Sequence, residues 1–99
     1  MIKELEDSFD GTGDVKGWKF TKLASVEHGF MYERVCPDIG TYFEVFAVKV
    51  VPICLDFENR VYSETDFKQV YPKTNDFGKW AWCFGNYEDA IVKLNSLKI

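Results

Sequence analysis

The sequence predicts an α+β fold: an antiparallel β-meander of four or five strands with a C-terminal α-helix packed on one face. Three observations lead there. Apolar and polar residues alternate with a period of two over most of residues 17–51. Clusters bearing glycine and proline interrupt that alternation at hairpin intervals. A single apolar stripe at helical spacing follows Asn86.

Residues 1–14 form an acidic N-terminal segment, with Glu4, Glu6, Asp7, Asp10 and Asp14 set against Lys3 alone. It reads as solvated chain with room for a helical turn over residues 2–8, which Gly11, Gly13 and Gly17 would end. A long strand follows, with Trp18, Phe20, Lys22, Ala24 and Val26 expected on one face and Lys19, Thr21, Leu23 and Ser25 on the other. His28-Gly29 supplies a hairpin turn, residues 30–36 return, and Pro37, Asp38 and Gly40 stop the return strand.

Residues 41–51 make the clearest strand, with Phe43, Val45, Ala47 and Val51 on one face and Tyr42, Phe46, Val48 and Val50 on the other. Two apolar faces predict a central strand with two covers. The helix is one, and the other is residues 53–66, through Ile53, Leu55 and Phe57, or a second copy of the chain. Pro52 is expected to end the ladder, because it has no N–H to donate.

Within residues 53–78 one further strand is expected, ending near Tyr71-Pro72, and residues 79–84 form the last. Asn86 is a good N-cap with Asp89 three residues on, and Tyr87, Ala90, Ile91, Leu94 and Leu97 recur on one stripe. This predicts a helix over 86–98, packed through Tyr87, Ile91 and Leu94. With no internal repeat or linker, residues 1–99 read as a single domain.

A composition of 46% hydrophobic and 28% charged residues is that of a folded chain, and 99 residues leave no room for a two-lobed cofactor enzyme. No apolar run reaches the roughly 18 residues of a membrane span, and the first residues lack the pattern of a signal peptide, so the expectation is a soluble, cytoplasmic protein without a membrane partner. Outside residues 1–14 the charges balance, which does not suit a duplex-DNA binder.

Cys36, Cys54 and Cys83 are odd in number and lack CxxC spacing, which argues against a disulfide framework or a zinc site and for a reducing compartment. Cys54 and Cys83 read as small buried hydrophobes. The loop from Asp10 to Asp14 fails as a calcium loop, because Gly17 or Lys19 would stand where the closing glutamate belongs. It also fails as a phosphate loop, because it precedes a strand. Asp76-Phe77-Gly78 matches a kinase triplet by letters alone. His28, the single histidine, sits in a turn, and no acid pair is spaced for proton transfer. No catalytic, cofactor-binding or metal-binding residue is assigned, and the chain reads as a non-enzyme.

Aromatic residues supply 17% of the chain, more than a small core readily encloses, so some should reach the surface. Lys16, Trp18, Phe20 and Lys22 form a base–ring–ring–base row, and Trp80 and Trp82 form a second. These six residues are the candidate binding patch. They point to a non-catalytic protein-binding or accessory module that uses an aromatic patch or self-association, its partner being another protein or itself. The alternative is a single-stranded nucleic-acid binder that stacks bases on Trp18 and Phe20.

Three stretches, Phe9-Asp10-Gly11-Thr12-Gly13-Asp14-Val15-Lys16-Gly17-Trp18-Lys19-Phe20, Tyr42-Phe43-Glu44-Val45-Phe46, and Tyr71-Pro72 with Phe77-Gly78-Lys79-Trp80-Ala81-Trp82, resemble a group of small uncharacterised proteins encoded by gut anaerobes, their phages and mobile elements. The chain departs from that pattern at residues 53–66, which look like an insertion, and at Phe43, an extra residue in the second stretch. The resemblance implies a cytoplasmic, phage-related accessory role and carries over no catalytic residue.

Overall fold

Period-two patterning builds most of the chain into strands. The computed structural model describes residues 2–97. In chain order they form β1 (Ile2–Lys3), β2 (Ser8–Asp10), β3 (Lys19–Val26), β4 (Gly29–Cys36), β5 (Gly40–Ala47), β6 (Val50–Asp56), β7 (Val61–Gln69), β8 (Ala81–Phe84) and α1 (Tyr87–Ser96). The fold is α+β. Five strands in the order β2-β3-β4-β5-β8, antiparallel throughout, make the main sheet, and β1-β7-β6 make a smaller one in which β1 runs parallel to β7.

The main sheet separates two apolar layers. On one face Met31 and Val45 are closed off by Ala90 and Leu94 of α1. The helix starts where expected, with the Asn86 side chain accepting the Asp89 N–H at 2.8 Å. It ends at Ser96, and the expected last residue, 98, lies outside the described residues. Truncating a buried leucine typically costs about 2–5 kcal/mol, so Leu94 is a main tie of helix to sheet. Gly29 lets the helix end come close, since a Cβ there would stand 2.8 Å from Leu97 Cδ1. Tyr87 was expected inside this contact but is exposed, its ring edge-on to Phe43 at 5.9 Å.

The other face carries Phe20, Phe30, Tyr32, Phe46 and Ala81. Its cover comes from Leu5, Phe9, Tyr71, Phe77 and Trp80, and not from residues 53–66 as expected. Tyr71 is the centre of this layer, with its ring 5.5 Å from Phe9, 5.3 Å from Phe20, 5.2 Å from Tyr32 and 4.7 Å from Phe46. The N-terminal segment is thus built into the fold: Ser8–Asp10 pairs with β3 and Phe9 stacks on Phe20 at 4.9 Å. Burying Phe9 outweighs the solvation of its acidic neighbours, which point outward.

Two further expectations are corrected by backbone geometry. Strand β3 does not keep one face, because Leu23 is an extra residue: Lys22 lies opposite Tyr32 and Ala24 opposite Met31. This β-bulge leaves Phe20 and Lys22 on the aromatic side and turns Ala24 and Val26 to the helix side. Residues 41–51 are two strands, β5 ending at Ala47 and β6 beginning at Val50 in the other sheet. Pro52 lies inside β6. The Val70 N–H donates to the Lys49 carbonyl at 3.1 Å, so by alternation Lys49 and Val51 face β7 and Pro52 turns its nitrogen to the open edge, where no donor is needed.

Strands β6 and β7 pack on each other and on β1, and scarcely on the main sheet. The hairpin projects. The radius of gyration is 14.4 Å, against about 12.6 Å for a compact chain of this length.

Candidate functional site

Even-numbered residues of β4 and β5 face the aromatic layer, and two of them are charged. Arg34 lies across from Phe20 and Tyr42, and Glu44 across from Tyr32 and Cys83. Glu44 is 2% exposed. Taking a carboxylate out of water costs several kcal/mol unless charge and hydrogen bonds replace the lost hydration. Here Arg34 Nη1 donates to Oε2 at 3.0 Å and the Tyr71 hydroxyl donates to Oε1 at 2.6 Å.

The guanidinium lies 4.0 Å from the centre of the Trp18 ring and 5.6 Å from that of Phe20, and its Nε is buried without a hydrogen-bond partner. Burial, then the charge and hydrogen bond of Glu44, push the Tyr71 phenol far up, so it stays protonated and donates. Burial, with Asp7 and Glu6 adding to it, pushes Tyr32 up to about 12, and its hydroxyl donates to the Glu6 carbonyl at 2.7 Å.

Above this triad opens a cleft of about 540 Å³ between the loop after β2 and the 3₁₀ turn Thr74–Asp76, lined by Phe9, Thr12, Arg34, Glu44, Lys73 and Phe77. Both oxygens of Glu44 are committed, so the triad is equipped to hold the sheet and the segment after β7 together.

The six residues of the expected aromatic patch do not share a surface. Lys16 is exposed in a loop. Trp18 is half-buried beneath Arg34, and Phe20 is 2% exposed inside the core. Lys22 is half-buried, bonded to Asp7 at 3.0 Å and 4.9 Å from the centre of the Phe30 ring. Trp80 is half-buried on the aromatic side, 6.2 Å from Phe46. Trp82 lies on the helix side with Lys93 Nζ 3.9 Å above its ring. Trp82 lies in β8 opposite Val45, whereas Trp80 precedes the strand and escapes its alternation, so the two rings take opposite sides. The base-stacking row is broken where Phe20 enters the core.

The exposed apolar surface is elsewhere. On the β6–β7 hairpin Val50, Leu55, Phe57, Val61 and Tyr62 are all exposed, Phe57 at 86% and Leu55 at 65%, and no residue of either strand is buried. The register Cys54 to Tyr62 and Asp56 to Val61 places Leu55, Val61 and Tyr62 at the hairpin end, with Val61 and Tyr62, consecutive in β7, on opposite faces. The turn is shaped by Asp56, whose carboxylate accepts from Asn59 Nδ2 and from the N–H groups of Glu58 and Asn59, and by Arg60 at φ 53°. Cys54 and Cys83, expected to be buried, are exposed on the edge strands β6 and β8.

Sequence reasoning passed over Glu44 and Arg34. The signal available is parity: each is a charge on the inward phase of an otherwise apolar alternation, on strands that pair with each other. No family model, curated protein or solved structure matches the chain. Among the described residues no helix is long and apolar enough to cross a membrane.

Proposed function

We propose that this chain is a non-catalytic protein-binding module, an accessory protein of the cytoplasm, whose contact element is the β6–β7 hairpin. The observation that carries the reading is the number of large exposed apolar side chains on a hairpin that packs scarcely at all on the main sheet. Each exposed side chain of this size forgoes about 1.5–3 kcal/mol of burial, and contiguous apolar patches beyond a few hundred Å² on soluble proteins commonly mark contact sites.

The non-catalytic part is supported by Glu44, whose oxygens are both engaged, and by Tyr71, whose phenol holds its proton. Three free cysteines suit a reducing compartment, and the resemblance to proteins of phages and mobile elements suits an accessory role. The nucleic-acid alternative has less support, because Phe20 is buried and Arg34 covers one face of Trp18.

The test is capture from a lysate of the source cell with wild type and with a Leu55→Lys, Phe57→Lys variant whose circular dichroism matches wild type. A captured protein that the variant loses supports the reading. An identical set of captured proteins from both would overturn it.

A further inference from the structure

We infer that the cleft above the Glu44 triad binds a small aromatic carboxylate, its carboxylate group held by the Arg34 guanidinium. The inference goes beyond the hairpin reading and is independent of it, since it places a ligand in a different part of the molecule.

Hydrogen bonding selects the charged group. A guanidinium carries five N–H donors. Among the described residues Arg34 places a single one, from Nη1 to Glu44 at 3.0 Å, and its Nε is buried with no partner. The Trp18 and Phe20 rings do not supply the missing acceptors, because a ring covers the face of the guanidinium while the N–H groups radiate from its edge. The Nε–H and one N–H of Nη2 run parallel along one side of the group, and Glu44 leaves that side open by taking Nη1. A carboxylate matches this pair with its two oxygens, the bidentate geometry that arginine supplies. A neutral amide offers one acceptor oxygen and an ammonium none.

Charge and shape select the rest of the ligand. The cleft, about 540 Å³, is within the range of small-molecule sites, about 300–1,000 Å³. Its lining sets Arg34 and Lys73 against Asp10 and Glu44, so it has no positive surplus to hold a polyanion such as a nucleotide phosphate chain. The ligand is therefore a monoanion, selected by geometry and not by net charge. Phe9, Val15, Pro72 and Phe77 also line the cleft, an apolar surface that an aromatic ring covers and a sugar would not.

The triad gives the site its rigidity. Glu44 is buried, takes the Tyr71 hydroxyl at 2.6 Å and fixes Arg34, so the guanidinium is in place before a ligand arrives.

The experiment reads Arg34 directly. The chain has two arginines, Arg34 and Arg60, and Arg60→Lys assigns their Nε–H signals in a nitrogen–proton correlation spectrum at mildly acidic pH. The probes are phenylacetate, phenylacetamide and phenethylamine, which share a phenyl ring and differ in the polar group. The expected result is a saturable downfield shift of Arg34 Nε–H with phenylacetate, half complete near about 1 mM, and binding at least about tenfold weaker for the amide and the amine. Thr74 lines the cleft from an exposed position, so Thr74→Trp should abolish the shift by filling the mouth. Lys73→Glu should weaken it several-fold, whereas Lys93→Glu, on the helix across the main sheet, should not.

No saturable shift of Arg34 Nε–H with phenylacetate overturns the inference. Affinity for the amide or the amine equal to that for the carboxylate overturns it as well. So does a response that persists in a Thr74→Trp variant whose circular dichroism matches wild type, or one that is as strong in Lys73→Glu as in Lys93→Glu. Capture of a protein through the hairpin is unaffected by any of these outcomes.

Discussion

Glu44 and Asp7 both pair with a base at 3.0 Å, yet only one pair sits where water cannot replace it. Asp7 is on the surface, and exposed pairs contribute about 0–1 kcal/mol. Glu44 is buried with Arg34 largely buried beside it, and removing one member leaves a charge in low dielectric, at about 3–5 kcal/mol. Glu44→Ala should therefore lower the urea midpoint steeply and Asp7→Ala hardly at all. Equal shifts would contradict this account of the triad. The tyrosines supply a pH test. Tyr32 and Tyr71 both have folded pKa values raised above the ordinary 10.0, so the unfolded chain loses these protons first. Their stabilising contribution is complete below pH 10 and falls as the pH rises toward about 12, where Tyr32 titrates in the folded protein. Thermal midpoints should be level from pH 7 to 9 and drop above 10, with a shallower drop in Tyr71→Phe. A Tyr71→Phe curve of unchanged slope would remove Tyr71 from the cause.

At the scale of elements, the parts legible in the sequence are those specified by local chemistry. The stop at Pro37 and the Asn86 cap need only neighbouring residues and stand where pattern reading puts them, while the hairpin turn expected at His28-Gly29 falls one residue earlier, on Glu27-His28, with Gly29 already paired to Val26. What is not legible depends on a distant strand. Leu23 gives no local sign of being a bulge, since only the register against Met31 and Tyr32 makes it supernumerary. Glu44 is overlooked because its partners, Arg34 and Tyr71, lie 10 and 27 residues away. Leu55 and Phe57 look like core by composition, and it is the pairing of β6 with β7 that carries them outward. The bulge yields a sharp prediction. Deleting Leu23 leaves Lys22 opposite Tyr32 and Ala24 opposite Met31, so every inward side chain keeps its face, and the unfolding free energy should change by about 1 kcal/mol or less. Deleting Thr21 instead shifts Phe20 by one residue and turns it out of the aromatic core. Urea unfolding of the two variants distinguishes them, and a deletion of Leu23 as damaging as that of Thr21 would mean the bulge has a structural role of its own.

Across the whole molecule the two sheets differ in what holds them. The central strands β4 and β5 have a hydrogen-bonded neighbour on each side and a packed layer on each face, so their amides can exchange only when the aromatic layer and the helix contact are both lost. The β6–β7 hairpin has no buried side chain, β6 is an outer edge, and β1 pairs with β7 over only two residues. Its hydrogen bonds can therefore break while the main sheet stays intact, a local opening with a smaller free energy than global unfolding. Amide hydrogen exchange at low protein concentration should show β6 and β7 exchanging at least about tenfold faster than β4 and β5, a gap of about 1.4 kcal/mol or more. Equal protection of both sheets would show that they open as one unit, and the hairpin would then be part of the core's cooperative structure instead of an arm displayed by it.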